Sequence, residues 1–227
     1  MHLAPTLIPA YITIIALLLL AFCLVAALYL APWAALRQDP GRIHMVAGGA
    51  LGCLLLWLLN ISVLDGMMLH LLGITTLTLA IGWSLTILAG SLSLLALTAL
   101  SGLDIAAYPM AWVFNIMVPA SATVILAKLL YQPQLRNPFF YMLGAGFAGG
   151  ALAVLLDGLL AGAVLSGARP TDWLESAGLF WPMLLLMMFA EGFINGLCIS
   201  ATAVFFPDWL KTFDDKFYLD DRAPPRR

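Results

Sequence analysis

The 227-residue chain is 63% apolar and only 10% charged, well below the roughly 25% charged residues of soluble domains. A water-soluble fold of this length could not hide so much apolar surface. A net charge of −2 gives no basic field for nucleic acid, and the length allows one domain, so chemistry that needs a cytosolic cofactor fold must come from a partner.

A helix needs about 20 apolar residues to cross a hydrocarbon layer of about 30 Å. The first such run covers 10–34. Met1-His2-Leu3-Ala4-Pro5 ahead of it carries no positive charge, and the run exceeds the roughly 7–15 residues of a signal-peptide core. It reads as a retained first span. The second covers 43–64. The stretch 67–101 would make a straight helix of roughly 52 Å, too long for one crossing and slightly short for two. Gly82 and Gly90 offer bends, so a short helical hairpin is expected there. Further spans are predicted at 107–131, 138–166 and 178–206. The transmembrane domain is assigned to 1–210 and a charged, partly disordered cytoplasmic tail to 211–227.

Cytoplasmic loops are enriched in Lys and Arg. Arg37 and Arg42 follow the first span, which puts the N-terminus outside. Lys128 and Arg136, and then Lys211, Lys216, Arg222, Arg226 and Arg227, fall inside only if 67–101 crosses twice. The expected fold is therefore all-α, with about seven transmembrane helices, N-out and C-in, and with Arg169 as the lone exception. Glycines at four-residue spacing, Gly48/Gly52, Gly146/Gly150, Gly158/Gly162 and Gly192/Gly196, mark faces where membrane helices can approach closely. No internal repeat of the inverted-transporter kind is visible.

Few side chains remain that carry chemistry. Cys23, Cys53 and Cys198 form no CxxC and read as packing residues. Of three histidines, His44 opens the second span at the inner face, while His2 and His70 both fall outside. The α-amine of Met1, the amide nitrogen of His2 and its imidazole can close fused chelate rings around one metal ion. His70 would supply a fourth nitrogen. Planar nitrogen coordination favours Ni(II) or Cu(II) over Zn(II); taken alone, His2 reads more readily as an ordinary polar terminal residue. Met67, Met68 and Met110 offer soft ligands suited to Cu(I), or simply fill space. Two acids, Glu191 and Asp157, lie inside spans. Such acids must be protonated, hydrogen-bonded or turned to a polar cavity, and Glu191 reads as a functional acid or as an anchor for backbone groups. No Ser-His-Asp order, HExxH or P-loop pattern supports an enzyme.

The chain resembles the cobalt/nickel substrate-capture (S) component, or permease, of energy-coupling-factor ABC transporters. The likeness runs in order through Met1-His2, His70-Leu71-Leu72-Gly73-Ile74-Thr75-Thr76, Ser101-Gly102-Leu103, Met117-Val118-Pro119 and Glu191-Gly192-Phe193-Ile194-Asn195-Gly196-Leu197. The family's Asn-Val-Phe element has no counterpart around Met110-Ala111-Trp112. The resemblance implies a multi-pass protein of the bacterial or archaeal cell membrane that takes up nickel or cobalt, with copper as the further metal the ligands allow. Implied partners are a transmembrane coupling subunit, a pair of cytosolic ATPases and a small membrane subunit. Ala47-Gly48-Gly49-Ala50-Leu51-Gly52 offers a docking face. The competing reading is a membrane scaffold or assembly protein with incidental histidines.

Overall fold

The computed structural model describes residues 2–64, 67–168 and 170–218. Helix α1 (Ala10–Leu30) starts behind Pro9 and stops at Ala31-Pro32. A short helical turn, Trp33–Gln38, leads to α2 (Pro40–Leu58). Asp39 caps α2 by accepting from the Gly41 amide at 3.0 Å, with Pro40 at the first helical position, where a missing N–H costs nothing.

Helix α2 ends at Leu58, and the last residues of the predicted 43–64 span are not helical. The Asn60 side-chain amide donates to the Trp57 and Leu58 carbonyls at 3.3 Å each, occupying acceptors that the helix end leaves open. The chain then runs extended. Strand β2 (Asn60–Leu64) pairs antiparallel with β3 (Met67–His70), and β1 (His2–Leu3) pairs with the other edge of β3. The sheet order is β1-β3-β2. Hydropathy did not foretell this small sheet.

It also alters the predicted 67–101 hairpin. The first arm is β3 followed by α3 (Ile74–Ile81), eight residues or about 12 Å long; the second is α4 (Trp83–Leu100). Glycines with positive φ stand at both ends of α3, Gly73 at 67° and Gly82 at 82°, a region that side chains with a Cβ avoid. The far end of α3 is tied down: the Lys211 and Thr212 amides donate to the Ala80 and Leu79 carbonyls at 3.0 and 3.3 Å. Strand and short helix together thus pass from the sheet to the face that carries the C-terminal segment.

Helix α5 (Ile105–Leu130) widens into a π-helical turn over Val113–Met117. Pro119 has no N–H to give the carbonyl four residues back, which relaxes the ordinary α ladder there. Helices α6 (Phe140–Ala168) and α7 (Pro170–Phe205) complete the bundle. They meet through the predicted glycines. A Cβ on Gly146 would lie 3.3 Å from the Gly196 Cα, and one on Gly192 would lie 2.8 Å from the Phe147 carbonyl. Six helices (α1, α2, α4, α5, α6 and, over Ser176–Phe205, α7) are long and apolar enough to cross a membrane. The β3–α3 passage, half strand and half short helix, lies between α2 and α4 and is not among them. The protein is a multi-pass, essentially all-helical membrane protein.

The described Lys and Arg residues gather at one face. The Arg37–Arg42 connection, the end of α3 and Asp208–Lys211 surround a cavity of about 560 Å³. Arg136, from the connection after α5, donates to the Phe217 carbonyl at 2.7 Å. Of the expected tail, residues 211–218 pack here, with Tyr131 stacked on Phe217 at 4.1 Å and the Tyr141 hydroxyl 2.7 Å from that of Thr212. Residues 219–227, like Met1 and Arg169, lie outside the described residues.

Candidate metal centre

The sheet brings the two predicted ligands together. His2 stands opposite Met68 in the β1–β3 register. His70 lies two residues further along β3, and side chains two apart share a face. Asn60, opposite His70 on β2, joins them. These four residues, with Trp57, Leu94, Leu97, Ser101, Leu103 and Asn115, line one cavity of about 120 Å³.

His70 is 6% exposed, and its orientation is fixed from two sides. Its Nδ1 lies 3.0 Å from the Leu71 carbonyl, which can only accept. In the neutral ring Nδ1 therefore carries the proton and Nε2 the lone pair. Trp57 packs on the ring at a centroid distance of 5.8 Å, its own Nε1–H donating to the Leu72 carbonyl at 2.9 Å. The buried Nδ1 of His2 has no hydrogen-bond partner. Burial holds the His2 imidazole below its usual 6.5, which favours the uncharged ring, the form that can ligate a metal.

Behind His70 the backbone is clamped by α7. Glu191, 1% exposed, accepts from the Leu72 and Gly73 amides at 2.6 and 2.7 Å and from the Asn195 side-chain amide at 2.7 Å. Asn195 Oδ1 in turn accepts from the Thr76 amide at 2.8 Å and its hydroxyl at 2.7 Å. One turn of α7 thus supplies the cap that α3 lacks from its own sequence, since Gly73 has no side chain to offer. A Cβ on Gly150 would stand 3.0 Å from the Glu191 carbonyl, so α6 approaches closely at the same level. Asp157 differs from Glu191. It is wholly buried, and neither carboxyl oxygen has a hydrogen-bond partner. It borders a space of about 10 Å³ shared with Leu69, His70, Leu72, Val154 and Met187.

Residues 2–209 match the family model CbiM, the cobalt uptake substrate-specific transmembrane region. The chain belongs to this family. Its fold is like that of a transition metal transporter of known structure (TM-score 0.73, 16% identity, 90% of this chain and 93% of that one). It is similarly like a truncated transition metal transporter (TM-score 0.70, 14% identity, 92% and 99%). A search of curated proteins returned no match. The CbiM assignment makes the protein a membrane component of metal uptake, a transport protein.

Within this CbiM member the predicted residues separate clearly. His2 and His70 line one cavity. His44 is exposed near the start of α2, at the face with Arg42, and has no part in it. Met68 borders the cavity, whereas Met67 and Met110 are buried and do not. Cys23 and Cys53 are buried and Cys198 is exposed, all as free thiols. Among the described residues no three His, Cys, Asp or Glu side chains form a metal-sized cluster. Sequence reasoning missed Asn60, Trp57 and Asn115. Asn115, fully buried in the π-helical turn of α5, had a usable signal: a polar amide inside an apolar run, four residues before a proline.

Proposed function

We propose that the protein is the substrate-capture subunit of a nickel or cobalt uptake system and binds the ion between His2 and His70. One observation carries this reading: β1 folds back onto β3, so that residues far apart in sequence share a cavity face, with an unpartnered Nδ1 on His2 and the lone pair of His70 on Nε2. The α-amine of Met1 and the amide nitrogen of His2 complete four nitrogens. An amide nitrogen ligates only after losing its proton, a step that suits Ni(II) and Cu(II) in planar fields. The clustered cations are assigned to the cytoplasm by the positive-inside rule, which sets the His2–His70 cavity at the outer side.

Capture alone does not move an ion inward, and the chain has no P-loop of its own. The resemblance supplies the partners: a transmembrane coupling subunit, a cytosolic ATPase pair and a small membrane subunit. Gly48 and Gly52 of α2 leave room for one of them, because a Cβ on either would meet nothing within 4 Å. Metal titration of the full chain in detergent, with its native N-terminus, tests the reading. His2→Ala and His70→Ala should each weaken Ni(II) or Co(II) binding beyond the roughly 10–100-fold typical of outer-shell partners, while His44→Ala leaves it unchanged. Wild-type affinity in both His2→Ala and His70→Ala would remove the basis for transport through this site.

A further inference from the structure

Among the described residues, Asp157 is the buried carboxyl group that the site description leaves unused. Its two oxygens have no hydrogen-bond partner, and the residue is fully buried. The adjoining space of about 10 Å³ holds at most about one water molecule, too little to hydrate a carboxylate. Leu69, Leu72, Val154 and Met187 make the rest of the wall apolar, and His70 completes it. Glu191 offers no parallel, because three N–H groups already donate to it.

Buried charges are tolerated when they are paired or balanced by a metal. The sequence places no Lys or Arg within the predicted spans at this depth, and the Arg42–Asp39 ion pair lies at the other face. Charge balance at the proposed metal centre is informative here. A divalent ion held by two neutral imidazoles, a neutral amine and one deprotonated amide keeps a single net positive charge. That charge would sit in a cavity whose described lining contains no acid.

We infer that Asp157 is the counter-charge of the loaded site, a carboxylate that neutralises a divalent cation bound between His2 and His70 without ligating it. The inference rests on the site proposed above. His70 stands between the two spaces, lining the 120 Å³ cavity and the 10 Å³ one. It therefore separates the cation from the carboxylate. Across a protein interior the attraction is screened less than it would be in bulk water. The smaller space also lacks a ligand set of its own: His70 Nδ1 is engaged by Leu71, which leaves the carboxylate and the Met187 thioether.

The test uses the full chain in detergent with Ni(II) and Cu(II) as probes. Asp157→Asn and Asp157→Ala remove the charge, and Asp157→Glu retains it. Expected results are an affinity at least about tenfold weaker in the neutral variants, recovery in Asp157→Glu, and visible metal absorption bands at wild-type positions in all three. The metal-free melting temperature should hold in the neutral variants while the rise on adding metal shrinks. Wild-type affinity in a folded neutral variant overturns the inference. Displaced absorption bands would make Asp157 a ligand and overturn it too. Loss of the metal-free fold in both neutral variants would assign the residue to the scaffold, again against it. Failure of the underlying site looks different, since His2→Ala and His70→Ala would then bind metal like the wild type.

Discussion

Truncating Glu191 to Ala strips acceptors from the Leu72 and Gly73 amides in a place water does not reach. Each orphaned donor costs about 1–3 kcal/mol, so the melting temperature in detergent should fall clearly, and metal binding should fall with it because the same backbone positions His70. Glu191→Gln keeps one acceptor oxygen and should lie between the two. His2 gives a prediction in pH. Its folded imidazole resists protonation through burial, whereas the unfolded one titrates near 6.5. As pH drops below that value the unfolded chain gains a proton that the folded chain refuses, so stability declines on acidification. Metal affinity should decline over the same interval, as protons compete for the nitrogens; calorimetry between about pH 8 and 5 checks both. The sequence made the residue types legible but not their partners. That Glu191 anchors backbone, and Asp157 does not, depends on where Leu72 and Gly73 arrive in space, which no spacing within α7 encodes.

At the scale of elements, the glycine pairs of α6 and α7 were readable because four-residue spacing puts small residues on one face whatever the partner. The Gly48/Gly52 pair has the same spacing yet meets nothing in this chain. Gly48→Ala should accordingly leave the unfolding free energy of the isolated protein within about 0.5 kcal/mol of wild type. Reduced co-purification with the coupling subunit would then report on docking. The sheet was not readable for a specific reason. Asn60–Leu64 continues an apolar run from α2, and hydropathy cannot tell the end of a helix from a strand that follows it. The short α3 was half visible in Gly73 and Gly82. Gly82→Ala forces φ near 82° on a residue with a Cβ, beside the Lys211 side chain. A loss of about 1–3 kcal/mol is expected, read from thermal unfolding.

Over the whole molecule, the connections after α1, α3 and α5 and the segment after α7 share one face, and the described Lys and Arg residues lie there. That arrangement follows from the odd number of passages inferred from charge, although one passage is not a full helix. Reporter fusions after Arg136 and after Arg227 should both read cytoplasmic, and an external reading at Arg136 would contradict the inferred sidedness. The β3–α3 passage also bears on the order of biosynthesis. Eight helical residues are too few to partition into lipid alone, and an unsatisfied backbone group there costs several kcal/mol. The acceptors that satisfy Leu72, Gly73 and Thr76 sit on Glu191 and Asn195, which leave the ribosome more than a hundred residues later (positions 72–76 against 191–195). Until then this stretch has no settled place in the bilayer, so the cavity between His2 and His70 can close only after the last helix has been made. Chains halted ahead of Glu191 should insert their flanking helices yet leave the 67–81 stretch open to water-soluble thiol reagents at an introduced cysteine, and the full-length chain should shield it.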